Sequence, residues 1–234
     1  MNTRKIVIAS VAATGLIAAA LVAVTALDRS HGPLAGVPTP QATEVQASGG
    51  GEAAQASVDE IGENEHVLGQ PDAPITIIEY ASLTCPHCAD FHQDTLPQLK
   101  SDWIETGKAK LVFRHYPLDR LALAAALMTN CFEGDRFFGV LDMLFARQQQ
   151  WSRAENPGQA LARIGAQAGM DQQTFEQCVT DQQEAQAILQ TQKQGRDKAD
   201  IQSTPTFLIE GEKIEGAKPY SEFEQVLQNA EGDA

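Results

Sequence analysis

The chain has 234 residues, a net charge of −14 from 17 basic and 31 acidic side chains, and 43% hydrophobic residues. That length accommodates one sizeable domain, or one domain with an insertion. The acidic balance, with no basic run after Lys5, excludes nucleic acid and docking of the folded body on anionic lipid.

Arg4 and Lys5 precede an uncharged run of 22 residues from Ile6 to Leu27. A positive start followed by an apolar run is an export signal, and this run has the ~20 residues needed to span a bilayer. Residues 1–27 are therefore read as a signal-anchor, with the body outside the cytoplasm. Cleavage near Val24-Thr25-Ala26 is the alternative. Residues 28–59, rich in Pro, Gly, Ala, Ser and Gln and containing Gly49-Gly50-Gly51, read as a disordered linker. Four cysteines fit an oxidising compartment.

The body starts near Glu60. His66-Val67-Leu68 is a candidate edge strand, and Pro71 to Pro74 a turn. Ile75-Thr76-Ile77-Ile78-Glu79-Tyr80 is a β-branched strand with adjacent apolar positions, the pattern of a strand covered on both faces. Cys85-Pro86-His87-Cys88 follows, and from Ala89 the residues Phe91, Leu96 and Leu99 recur at helical spacing to about Gly107. The cysteine pair thus lies where a strand becomes a helix. There Cys85 meets unpaired N–H groups and the positive end of the helix dipole, which favour a thiolate. The His87 ring can add positive charge or a hydrogen bond to the sulfur. Cys85 is assigned as the attacking thiol and Cys88 as the resolving one. Half a zinc site and a buried structural disulfide are the bland alternatives. A second Cys-x-x-Cys at zinc-site spacing is missing, so no metal is expected. Glu79 is either a strand-end carboxylate in water or a partly buried base for the Cys88 proton.

Leu111 to Tyr116 reads as a second core strand, stopped by Pro117, whose Arg114 either pairs with Glu79 or is solvated. His92 and His115 read as structural or exposed. Residues 118–198 are helical throughout. Leu121, Ala125 and Met128 form one apolar face, and Phe138, Leu141 and Phe145 another. Asn156-Pro157 starts a third helix, Asp171 a short fourth with Phe175 and Cys178, and Asp181 a long one with Ala185, Ile188 and Leu189. Two further strands, Thr206–Ile209 and Lys213–Glu215, flank a turn, and Tyr220 to Ala230 closes the chain as a helix.

Cys-Pro-His-Cys, Glu79 six residues earlier, and Ser203-Thr204-Pro205-Thr206-Phe207 far downstream together resemble the DsbA-like family of exported thiol–disulfide oxidoreductases. Gly69-x-Pro71-x-Ala73-Pro74 and Gly169-Met170-Asp171 with Phe175 and Cys178 extend the resemblance to about residues 66–228. It implies an α/β thioredoxin fold split by an inserted helical domain: residues 60–117, an insertion at 118–198, and residues 199–230. It implies a cis Thr204–Pro205 bond, whose flanking backbone pairs with substrate, and Glu79 as the base serving Cys88. It also implies exported, cysteine-containing clients, a membrane redox partner, no cofactor and a monomer. The implied function is donation of disulfides to proteins folding in the periplasm. The alternatives are an isomerase or reductase kept reduced by a membrane partner, since Thr before the cis-proline occurs there too, and a non-enzymatic metal- or client-binding module. Cys131 and Cys178 stand alone in the helical block. In an exported protein two such thiols are expected to pair with each other, a relay disulfide or two free thiols being the alternatives.

Overall fold

The computed structural model describes residues 61–62 and 65–233. The expected signal-anchor (1–27), the expected linker (28–59) and Glu60 lie outside the described residues. Among the described residues no helix is long and apolar enough to cross a membrane.

A five-stranded mixed sheet organises the chain. Its strands are β1 (His66–Leu68), β2 (Ile75–Ala81), β3 (Ala109–His115), β4 (Thr206–Ile209) and β5 (Glu212–Glu215), in the spatial order β1-β3-β2-β4-β5. The central β2 and β3 run parallel and the other pairs antiparallel. Parallel pairing needs a crossover, and the helical segment after Cys85 supplies it. Both central strands are buried nearly throughout, which explains their run of β-branched and aromatic residues. Side chains alternate across β2. Ile75 and Ile77 pack on one face with Phe91, Leu99, Trp103 and Phe223, while Ile78 and Tyr80 pack on the other with Val112, Tyr116 and Ile201. Glu79 belongs by parity to the first face, toward the crossover helix.

That crossover is not a regular helix. It runs as α1 (Pro86–Asp90), a π-helical turn over Phe91–Thr95, α2 (Leu96–Leu99) and a second π-helical turn over Lys100–Ile104. Pro97 has no N–H to complete an ordinary ladder here, and the Leu96 N–H reaches back five residues to the Phe91 carbonyl. The wide turn lets two consecutive residues, Phe91 and His92, both face inward.

Six helices lie between β3 and β4: α3 (Arg120–Asn130), α4 (Asp135–Ala146), α5 (Gln148–Ser152), α6 (Pro157–Gln167), α7 (Gln172–Val179) and α8 (Gln182–Ala199). Asp119, Asn156, Asp171 and Asp181 cap four of them, each side chain accepting from a backbone N–H of the first turn. Their apolar faces form one core with Ala81, Leu83, Cys88 and Phe113. Two details differ from the pattern read in the sequence. Leu189 is exposed, because only Ile188 of that pair faces the core, and α5 is an additional short helix that buries Trp151. Helix α9 (Tyr220–Asp233) packs beside the crossover helix on the Ile75 and Ile77 face of the sheet.

Candidate active site

Cys85 is the N-cap residue of α1, with extended backbone (φ −78°, ψ 120°), and Pro86 occupies the first helical turn. The loop that delivers it is stapled from three sides. The Cys85 N–H donates to the Ser82 carbonyl at 3.0 Å, Thr84 Oγ1 donates to Asp119 at 2.8 Å, and the buried Gln148 amide donates to the Leu83 and Cys85 carbonyls at 3.0 and 2.8 Å. Gln148 carries no signal in the sequence, where it opens a polar Gln-Gln-Gln run before Trp151.

Residues 119 positions apart complete the site. The Thr204–Pro205 peptide is cis, and the Cys85 thiol donates to the Thr204 carbonyl at 3.2 Å. Cys85 and Cys88 are both free cysteines. They have opposite proton affinities. The Cys85 pKa is lowered to about 5, chiefly by a hydrogen bond from the Cys88 thiol. Burial opposes this, while the Thr204 side chain and the backbone N–H groups of Cys88 and His87 add to it. Cys88 is 0% exposed, and burial pushes its thiol well above the usual range. Its role as donor to Cys85 and the negative charge of Glu79 push the same way.

Pro86 and His87 are exposed at the rim. The His87 ring pairs with Asp90 at 3.3 Å, so its contribution to the Cys85 thiolate comes from its backbone N–H. Glu79 is not at a wet strand end. It is fully buried, in register with Phe113 on β3 and Phe207 on β4, and its partner is His92, whose Nε2 lies 3.1 Å from both carboxylate oxygens. Arg114 does not pair with Glu79. The parity of β3 turns it to the opposite face, where it bonds Glu65 in a fork and donates to the Tyr80 hydroxyl. His115 is buried on Asn130 at 2.9 Å. Cys131 and Cys178 form a disulfide joining the end of α3 to α7. No cluster of three or more metal-ligating side chains occurs among the described residues.

Residues 62–229 match the family model described as Thioredoxin. A putative protein-disulfide oxidoreductase of Rickettsia bellii is 30% identical over 157 residues, 66% of this chain and 60% of that one, so the chain spans about three fifths of that relative's length. The crystal structure of alpha-DsbA1 from Wolbachia pipientis matches with a TM-score of 0.70 and 33% identity, covering 74% of this chain and 94% of that one. A protein-disulfide isomerase from Novosphingobium aromaticivorans matches with a TM-score of 0.63 and 25% identity, covering 73% and 99%.

Proposed function

This chain belongs to the thioredoxin family, in its DsbA-like branch, and from that premise we propose that it is an exported oxidoreductase that donates disulfides to other proteins. The observation that carries the reading is the opposite poise of the two sulfurs: Cys85 favours the thiolate and buried Cys88 the thiol. A client thiolate attacks Cys85 Sγ of the oxidised pair, the Cys85–Cys88 bond breaks, and Cys88 leaves and takes up a proton by way of Glu79, which acts as the base that accepts it back when Cys88 is reoxidised. A second client thiolate then attacks the client sulfur of the mixed disulfide and releases Cys85 as a thiolate. Because a pKa of about 5 makes that a good leaving group, the exchange runs toward oxidised client. At pH 7 such a thiolate favours the reduced enzyme by ~2.7 kcal/mol over an ordinary thiol, or roughly 60 mV for a two-electron couple. Thr204 and Pro205 flank the sulfur with backbone able to pair with an extended client segment, and exposed Pro86 and His87 form the lip that clients meet. The clients are cysteine-containing proteins folding in the periplasm. A membrane oxidase restores the disulfide, and residues 6–27 tether a monomeric enzyme at the inner membrane.

A second reading, an isomerase or reductase held reduced by its membrane partner, is favoured by Thr204 before the proline and by the likeness to the Novosphingobium isomerase. Trapping free thiols in cells separates the two. Cys85 and Cys88 are expected oxidised at steady state, with Cys88→Ala accumulating mixed disulfides on Cys85. A reduced pair at steady state supports the second reading, and undiminished exchange by Cys85→Ser sinks both.

A further inference from the structure

Cys88 must gain or lose a proton in every exchange, yet it is sealed from water. The carboxylate that bears on it, Glu79, is equally sealed, between the lateral neighbours Phe113 and Phe207, which cannot carry a proton. The one titratable side chain hydrogen-bonded to Glu79 among the described residues is His92. Its side chain is 2% exposed, stacked on Phe145 at 4.2 Å with Phe91 and Phe113 edge-on. Its other ring nitrogen, Nδ1, is buried with no hydrogen-bond partner among the described residues. His92 also forms part of the wall of an open cleft of about 350 Å³. The charged groups lining that cleft are Lys100 and Glu105 farther along the crossover helix and Asp142 on α4. The ring therefore has a buried carboxylate on one nitrogen, an unused nitrogen on the other, and an open cleft alongside.

We infer that His92 is a positioning residue that passes protons between Glu79 and the water of this cleft, so that Cys88 is served through the Glu79–His92 pair rather than through the opening at Cys85. This rests on the exchange reading given above. When the client sulfur bonds to Cys85 Sγ and the Cys85–Cys88 bond breaks, the electron pair stays on Cys88. His92 Nε2–H passes its proton to the Glu79 carboxylate, Glu79 passes it on to the Cys88 thiolate and is a carboxylate again, and Nδ1 takes one proton from water. The net transfer is one proton from solvent to Cys88, and the reverse accompanies reoxidation.

The test is the rate at which a dithiol peptide reduces the oxidised protein, followed from pH 4 to 8, for wild type, His92→Gln and Glu79→Gln. The glutamine amide keeps a donor toward Glu79 but cannot pass a proton on. His92→Gln is expected to slow reduction by about 10-fold or more, the usual size of a lost acid–base contribution, and to alter the pH profile. The double variant should be no slower than Glu79→Gln alone. In a Cys88→Ala background, where no Cys88 proton moves, His92→Gln should leave the reaction of Cys85 with an aromatic disulfide reagent unchanged. Equal rates for His92→Gln and wild type across the range, or an equal slowing in the Cys88→Ala background, would overturn the relay while leaving the exchange reading intact. Full activity of Cys85→Ser would sink the exchange reading itself. Should His92→Gln not fold, solvent exchange of the His92 ring proton in the unaltered protein decides. The relay requires exchange faster than turnover, and a ring proton protected for longer than a cycle excludes it.

Discussion

At Cys85 two forces oppose each other and hydrogen bonding wins. Burial alone would raise the thiol, but the Cys88 S–H, the Thr204 side chain and two backbone N–H groups at the helix start all favour the thiolate, and the pKa falls to about 5. This makes the stability of the reduced protein depend on pH in a definite direction. The folded pKa lies below the unfolded value of ~8.5, so the contribution is complete above the unfolded value, shrinks as pH falls, and is lost below about 5. The oxidised protein has no such group. The stability of the reduced form minus that of the oxidised form should therefore rise by ~2.3 kcal/mol between pH 5 and pH 7, measured by urea unfolding of the two forms side by side. A flat difference would mean that Cys85 is an ordinary thiol.

At the scale of elements, the sheet and the helical block meet where Tyr80 on β2 faces α8. A Cβ built on Gly195 would lie 2.6 Å from Tyr80 Cε1, and the ring cannot swing away because its hydroxyl is tied to Arg114 at 2.8 Å. Gly195→Ala should thus lose stability. The gain in helix propensity is ~1 kcal/mol, whereas overpacking costs ~1–3 kcal/mol, leaving a net loss of about 1 kcal/mol in urea unfolding. Stabilisation by the full propensity gain would show that α8 can shift freely. The same scale shows what was legible beforehand. β2 and β3 announced themselves as β-branched runs, and Asn156-Pro157, Asp171 and Asp181 announced helix starts, because those signals are local. The hidden features depend on long-range or irregular geometry. His92 reaches Glu79 only because a π-helical turn rotates it inward, Gln148 reaches the Cys85 loop across 63 positions, and Arg114 finds Glu65 across 49. Pro97 hinted at the irregular helix, but nothing in a single polar run marked Gln148 as buried.

Over the whole molecule, two features away from the cysteine pair set the stability. His115 is buried on Asn130 and near His66, and burial lowers its pKa to about 3. The unfolded chain takes up that proton near pH 6.5, so stability is whole above that pH and falls as pH drops toward 3, by up to ~5 kcal/mol. His66, also lowered by burial, acts in the same direction. His115→Gln should flatten this acid limb in the oxidised protein, where Cys85 contributes nothing, and an unchanged limb would assign it to other groups. The second feature is the Cys131–Cys178 disulfide, which closes a loop of 47 positions and fastens the exposed end of α3 to the buried face of α7. In the chain-entropy model, such a crosslink stabilises the fold by up to ~4 kcal/mol, with real gains often smaller. A domain of this size loses ~2–4 °C per kcal/mol. The Cys131→Ser, Cys178→Ser double variant should therefore melt several degrees lower by calorimetry, while its initial rate of client oxidation at 25 °C stays within twofold of wild type. The reason is spatial: the bridge anchors the helical block, whereas the Cys85 loop is held by Ser82, Asp119 and Gln148, none of which contacts either sulfur through a hydrogen bond. A large loss of client oxidation with an unchanged melting temperature would make the bridge a relay for the Cys85–Cys88 pair instead of a staple. Mass mapping of the oxidised protein would then find Cys131 or Cys178 linked to Cys85 or Cys88.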